Sequence, residues 1–312
     1  MKLSLFSVVI PFLNEEDCIA DLCRHVENVA RDNPFDLELI LVDDGSTDKT
    51  VGVISAFPFE HCKTVRVVSL SKNFGSHAAI RAGIKQASGD YCTFIGADLQ
   101  EPDDILSVMY SGFTEGFDAV YIEKSSIAVS MASRAFSLIY SALMRKYAVR
   151  NYGSGGVNSI AFSRKIIDYL NKNVELNSSI NLQILNAGFA NKTIKMDYKE
   201  RAAGKSKWTF GKKIKLLIDS FVSFSFMPIR AVSIIGIIMA VFGFVFGAYI
   251  VLNRILHPEI PVPGYPSLAA LLLFGFGITN ISLGIIAEYL WRTYDAARNR
   301  PAFIISDINE IK

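Results

Sequence analysis

The stretch AVSIIGIIMAVFGFVFGAYIVL, residues 231–252, holds 22 residues without one charged side chain. As a helix it would reach about 33 Å, enough for the hydrocarbon core of a bilayer. A second stretch, SLAALLLFGFGITNISLGIIA from Ser267 to Ala287, is of similar length. One such run is compatible with a buried core helix; two of them close together favour a membrane hairpin. The linker between them, NRILHPEIPVPGYP, is short and proline-rich, as a turn outside the bilayer should be.

Lysine and arginine set the orientation. Lys205, Lys207, Lys212, Lys213, Lys215 and Arg230 precede the first span, and Arg292, Arg298 and Arg300 follow the second, whereas the linker carries only Arg254. The positive-inside rule then places both long ends in the cytoplasm of a multi-pass protein of the plasma or inner membrane. Ahead of the spans, FGKKIKLLIDSFVSFSF mixes lysines with apolar residues at near-helical spacing. It reads as an interfacial helix, with an ordinary amphipathic core helix as the other option. Gly243 and Gly247 form a GxxxG, a motif common in spans.

Residues 1 to about 200 have a different texture. Apolar runs rich in β-branched residues occur at FSVVIPFL, LELILVDD, VRVVSL, YCTFIGAD and DAVYI, separated by the helical patterns EEDCIADLCRHVENVARD, SHAAIRAGIKQASG and PDDILSVMYSGFTEG. Alternation of this kind predicts an α/β fold with a mostly parallel sheet. In such sheets ligands bind beyond the carboxyl ends of the strands. Polar clusters fall at those ends: PFLNEE, DDGSTD, SKNFG and ADLQEP. Four clusters on one rim predict one cleft.

Composition narrows the chemistry. A net charge of +2 excludes a nucleic-acid binder that works by general basicity. Cys18, Cys23, Cys62 and Cys92 form no CxxC pair and no Cys/His cluster, so they read as buried thiols of a cytosolic domain. The opening MKLSLFSVVIPFLNEE runs straight into a strand pattern and predicts no cleaved leader. Gly204-Lys205-Ser206 imitates the tail of a phosphate-binding loop, but Lys199 stands where its first glycine belongs. Asn177 and Asn191 match the glycosylation sequon but fall on the cytoplasmic side of this topology.

Carboxylates at strand ends suit a hard cation held by oxygens, Mg²⁺ or Mn²⁺, which neutralises a leaving diphosphate. A second role open to Asp43 and Asp44 is to cap a helix starting near Thr47. Asp98, with Pro102 after it, has helix entry as its second role.

The quoted segments SVVIPFLNEE, LVDDGSTDKT, NFGSHAAIRAGIKQASGDY and ADLQEPDD resemble the nucleotide-sugar domain of glycosyltransferase family 2. RAAGKSKW, followed by an interfacial helix and two spans, narrows the resemblance to the polyprenyl-phosphate glycosyltransferases. It covers nearly the whole chain. The resemblance implies a GT-A-type α/β domain over 1–209, an interfacial helix over 210–227, a two-helix membrane region over 228–292 and a cytoplasmic tail over 293–312.

Carried over position by position, it puts the donor nucleotide against Pro11, Leu13, Glu15, Val42 and Asp44, with Ala97 and Asp98 beside it. Asp98 and Gln100 become metal ligands. Arg201, Ser206 and Lys207 belong to the loop that closes over the phosphates, and Arg134 meets the lipid phosphate. Asp98, Arg201 and Lys207 are the implied catalytic set. The implied partners are a nucleotide-sugar, UDP-glucose first, a polyprenyl phosphate acceptor, the bilayer, and a second copy of the chain, with no nucleic acid. UDP-N-acetylglucosamine, UDP-galactose and GDP-mannose stay open as donors.

Two departures qualify the match. Many members carry Asp-x-Asp where this chain has Gly96-Ala97-Asp98, and some bacterial relatives carry an acid near Asn158. A degenerate, non-catalytic binding protein is therefore a rival reading. A processive polysaccharide synthase is another, but it would show QxxRW, and neither Trp208 nor Trp291 has that context. The tail RPAFIISDINEIK holds a strand-like piece that either pairs with another subunit or covers the edge of the domain.

Overall fold

The computed structural model describes residues 3–97, 100–125, 141–142, 144–146, 159–175, 179–198, 227–256, 264–298 and 300–312. The chain divides into two units, Met1–Leu217 with Pro301–Lys312, and Ile218–Arg300.

The first unit is built on an eight-stranded sheet. Its strands are β1 (Leu5–Phe12), β2 (Asp36–Asp43), β3 (Thr64–Leu70), β4 (Tyr91–Phe94), β5 (Ala119–Lys124), β6 (Ser159–Ser163), β7 (Asn191–Met196) and β8 (Ile305–Glu310). They lie in the order β7-β5-β6-β4-β1-β2-β3-β8. Pairs β1–β2, β1–β4, β2–β3 and β5–β7 are parallel, while β6 and β8 run against their neighbours. The helices are α1 (Ile19–Asp32), α2 (Thr50–Ser55), α3 (Ser76–Gln86), α4 (Ile105–Thr114), α5 (Arg164–Lys172) and α6 (Ile180–Ala187).

β1 and β2 are apolar on both faces because both faces are covered; Val8, Val9, Ile10, Leu39, Ile40, Leu41 and Val42 have no exposed surface. α1 buries Ile19, Leu22, Cys23, Val26 and Val29, one face of a helix. It stops at Asn33, whose side-chain amide donates to Val29 O at 2.8 Å before Pro34 ends the pattern. α3 lies close on the sheet. A Cβ on Gly83 would come within 2.2 Å of Val9 Cγ1 and 3.0 Å of Val42 Cγ2, so only glycine allows that approach.

The tail strand covers the edge of its own domain. β8 pairs with β3, Arg66 opposite Glu310 and Val68 opposite Ile308. Arg66 Nε donates to Glu310 Oε2 at 3.1 Å, and Val65 N to Lys312 O at 2.8 Å.

Glu27, on α1, fastens the turn that leads into β3. Its carboxylate accepts from Glu60 N at 2.9 Å, His61 N at 2.7 Å and Cys62 N at 2.9 Å. Burial pushes its pKa up, but these donors outweigh it and hold the group below the usual glutamate value. A depressed carboxyl stabilises the fold above the unfolded pKa, about 4.3, and that contribution is lost as pH falls through the folded value. Glu27→Gln turns an amide N–H₂ towards backbone donors. It should cost about 2 kcal/mol at pH 7, or roughly 4–8 °C in melting temperature for a domain of this size. Melting curves of the full chain in detergent should show the gap narrowing towards pH 3; a gap independent of pH would contradict this role.

The second unit contains α7 (Met227–Leu256) and α8 (Tyr265–Ala297). Within α7, Ile229–Asn253 is long and apolar enough to cross a membrane, and none of it is buried. Its exposed side chains include Ile237, Phe244 and Val245. α8 starts with Pro266 in its first turn and leaves Phe274, Phe276 and Ile281 exposed. The interfacial helix expected over 210–227 lies outside the described residues except for Met227, which opens α7.

Candidate active site

Because β1, β2, β3 and β4 are parallel, their carboxyl ends share one rim of the sheet. Pro11 and Val42 are direct register partners, as are Phe12 and Asp43. Asp44 N donates to Phe12 O at 3.0 Å, and Ile95 N to Val9 O at 3.1 Å. The structure therefore brings Pro11, Leu13, Glu15, Val42 and Asp44 together at the ends of β1 and β2, with Ala97 and Gln100 just beyond the end of β4. Pairing in β4 stops at Phe94, shorter than the apolar run through Ala97 suggested, and Gly96, a weak strand former, lies in the part that leaves the sheet.

The first two loops are laced to each other. Asn14 N donates to Ser46 Oγ at 3.0 Å, and Asn14 Oδ1 accepts from Thr47 N at 2.9 Å. Asn14 adopts φ 53°, the left-handed region that asparagine tolerates better than most residues. Glu15 N donates to Thr50 Oγ1 at 3.0 Å, and Glu15 Oε2 accepts from Cys18 Sγ at 3.2 Å. Burial and then Glu15 push the Cys18 thiol up to about 11, so it remains protonated at neutral pH.

The acids of DDGSTD do not cap a helix at Thr47. α2 begins at Thr50, where Asp48 Oδ1 accepts from Thr50 N at 3.0 Å. Asp43 Oδ1 accepts from Ser46 N at 2.8 Å and closes the turn. Asp44 reaches across to the loop after β3, accepting from Phe74 N at 2.7 Å and Gly75 N at 2.9 Å. Asp43 and Asp44 are both buried, at 6% and 5% exposure. Burial pushes the Asp44 carboxyl up, Asp43 adds to that, and the two N–H donors oppose it. Asp44 thus joins two loops of the rim whatever else it touches. Between them Gly45, at φ 85°, passes so close to Lys72 and Asn73 that a Cβ would stand 2.9 Å from their backbone.

At the end of β4, Gly96 N donates to Glu101 Oε1 at 3.2 Å. Gln100 follows the turn. Among the described residues no three His, Cys, Asp or Glu side chains gather to hold a metal. Asp98, Arg134, Asn158, Arg201, Ser206 and Lys207 lie outside the described residues. The oxygen donors at this strand end, the Gln100 amide oxygen with the Asp98 carboxylate two residues before it in sequence, fit a hard divalent cation and no thiophilic one.

Asn14, Gly45, Glu101, Ser159 and Tyr198 were not marked by sequence reasoning. A signal was present for the first two, since Asn and Gly in strand-end loops mark left-handed backbone. Glu101 meets Gly96 within its own turn, while Ser159 and Tyr198 meet only through the sheet.

The sequence was compared with known families and proteins. The model of Glycosyl transferase family 2 matches residues 7–152. An undecaprenyl-phosphate 4-deoxy-4-formamido-L-arabinose transferase of Proteus mirabilis is 31% identical, over 100% of this chain and 96% of that protein. One of Klebsiella pneumoniae is 30% identical, over 97% and 93%. A Bacillus subtilis protein named "Putative glycosyltransferase CsbB" is 30% identical over 99% and 93%.

Proposed function

The chain belongs to glycosyl transferase family 2, and from that premise we propose that it is a membrane-bound inverting glycosyltransferase moving a sugar from a nucleotide-sugar to a polyprenyl phosphate. The observation that carries the reading is the shared rim, where loops from four parallel strands converge in a chain that also contains a helix fit to cross a bilayer. The relatives named for undecaprenyl phosphate support the acceptor. The two apolar stretches support a two-helix membrane region, and the placement of lysine and arginine supports cytoplasmic ends.

In this mechanism Pro11, Leu13, Glu15, Val42 and Asp44 hold the nucleoside. Asp98 and Gln100 hold Mg²⁺ or Mn²⁺, which when bound offsets the charge of the diphosphate. Arg201 and Lys207, a planar fork and a point charge, neutralise the phosphates, with Ser206 between them and Arg134 towards the lipid. The acceptor's second pKa, like that of other phosphate monoesters, is about 6, so its oxygen arrives deprotonated at neutral pH. A proton-accepting side chain is therefore not required, and Asn158 in place of an acid is compatible with the reaction. One phosphate oxygen attacks the anomeric carbon, and the bond to the nucleoside diphosphate breaks. The protein supplies alignment and charge neutralisation between two anions.

UDP-glucose is the first donor of choice. The relatives' own sugar, 4-deoxy-4-formamido-L-arabinose, makes an undecaprenyl-linked pentose the second. The test is a panel of labelled UDP- and GDP-sugars given to the full chain in detergent with undecaprenyl phosphate. One donor should yield labelled lipid with Mg²⁺ or Mn²⁺, and EDTA should reduce the yield about 100-fold or more. Tight donor binding with no transfer from any sugar would favour the degenerate-binder reading.

A further inference from the structure

The strands beyond β4 extend the same rim. β6 runs antiparallel to β4 and so begins at the rim with Ser159, while β5 and β7 end there. Thr93 pairs with Ala161, and continuing that register sets Ser159 level with Ile95, one residue before Gly96. From the end of β7, Tyr198 spans β5 and brings its hydroxyl within 2.8 Å of Ser159 Oγ. The Lys124 ammonium lies 5.5 Å from the centre of the Tyr198 ring. Ser159 is 2% exposed, and Tyr198 packs against the apolar core.

Two hydroxyls carry two protons, and their mutual bond uses one. Among the described residues neither hydroxyl has another hydrogen-bond partner, so one O–H and spare lone pairs remain. Burial pushes the Tyr198 phenol up to about 12, against the pull of Ser159 and with the charge of Glu101 adding to it, so the pair is neutral at physiological pH. A pair that both donates and accepts can bond a hydroxyl in either direction, a capacity that a phosphate oxygen, an acceptor only, leaves half unused.

Sheet order assigns the ligand. The proposed nucleoside residues lie at β1 and β2, and the proposed diphosphate residues at the end of β4; the next strand along the rim is β6. We propose that Tyr198 and Ser159 form the subsite that holds hydroxyl groups of the transferred sugar. This rests on the donor reading above and adds two positioning residues to it.

The experiment measures binding to the full chain in detergent by calorimetry. The probes are UDP-glucose, UDP-N-acetylglucosamine, UDP-galactose and GDP-mannose, each against UDP or GDP alone. Wild type is compared with Tyr198→Phe and Ser159→Ala, which remove one oxygen each. For the preferred donor, the ratio of sugar-nucleotide to bare-nucleotide affinity should fall about tenfold in Tyr198→Phe, with bare-nucleotide affinity unchanged. Ser159→Ala should move the ratio the same way, and serves alone if Tyr198→Phe does not fold. An unchanged ratio in the folded variants, or an equal loss for both ligands, overturns the assignment. A wild type that binds bare nucleotide but no sugar-nucleotide overturns the donor reading, and this subsite with it.

Discussion

Asp98→Ala should reduce transfer to the lipid by about 10³-fold while the protein melts close to wild type. Within the Asp-x-Asp motif Asp98 is the carboxylate that is left, since its companion position is Gly96. Removing a single preorganised group that offsets developing charge costs about 10²–10³-fold, and here no second acid in the motif shares the load. Residual activity should no longer respond to EDTA. Gly96→Asp tests the same idea from the other side, leaving transfer intact and tightening Mn²⁺ binding in the presence of nucleotide. Asp98→Ala with wild-type activity and unchanged metal dependence would remove the assignment.

The second large effect belongs to Gly45→Ala. Its φ of 85° costs an L-residue about 1–2 kcal/mol, and the added methyl would meet backbone atoms of Lys72 and Asn73 at 2.9 Å. Backbone cannot yield as a side-chain tip does, so overpacking adds about 1–3 kcal/mol. The total, roughly 2–5 kcal/mol, corresponds to a fall of about 5–15 °C in melting temperature. The strain falls between Asp44 and the Phe74 and Gly75 amides that it binds, so the KM for the donor should rise along with it. Gly52→Ala is the control: a Cβ there meets nothing within 4 Å, and on a helix it should be neutral or mildly stabilising. If Gly45→Ala melts with Gly52→Ala and keeps the wild-type KM, the loop junction is not what shapes the donor end of the rim.

Much of the sheet domain was readable because its parallel strands are buried on both faces and so spell continuous apolar runs. SVVIPF and LELILV leave little room for another reading. β7, NKTIKM, was missed for the opposite reason. It alternates lysine with apolar residues and is half-exposed along its length, so it carries no such run. β6 is five residues long, below the length at which periodicity speaks. The tail strand was visible as a strand, but its partner was not, because pairing with β3 is a contact across about 240 residues that no local pattern encodes.

The site divides along the same line. The rule that ligands bind beyond carboxyl ends could place the polar clusters on one rim, whereas the individual residues Pro11, Leu13, Glu15, Val42 and Asp44 came from the family resemblance. What Asp44 binds could not be placed, since its partners lie 30 and 31 residues away in another loop. Tyr198 and Ser159 meet only because the order β7-β5-β6 folds the chain back across one strand. The alternative role of Asp43 and Asp44, capping a helix near Thr47, is not what the structure has, because the helix starts at Thr50, where Asp48 is nearer.

The most direct test of the central claim is a change of acceptor. The full chain in detergent, supplied with its preferred labelled donor and Mg²⁺, is offered undecaprenyl phosphate, undecaprenol or no lipid. The account predicts labelled lipid from undecaprenyl phosphate alone, with the mass of acceptor plus sugar less one water. Equal labelling of undecaprenol, or no lipid product while the nucleotide-sugar binds, would contradict it.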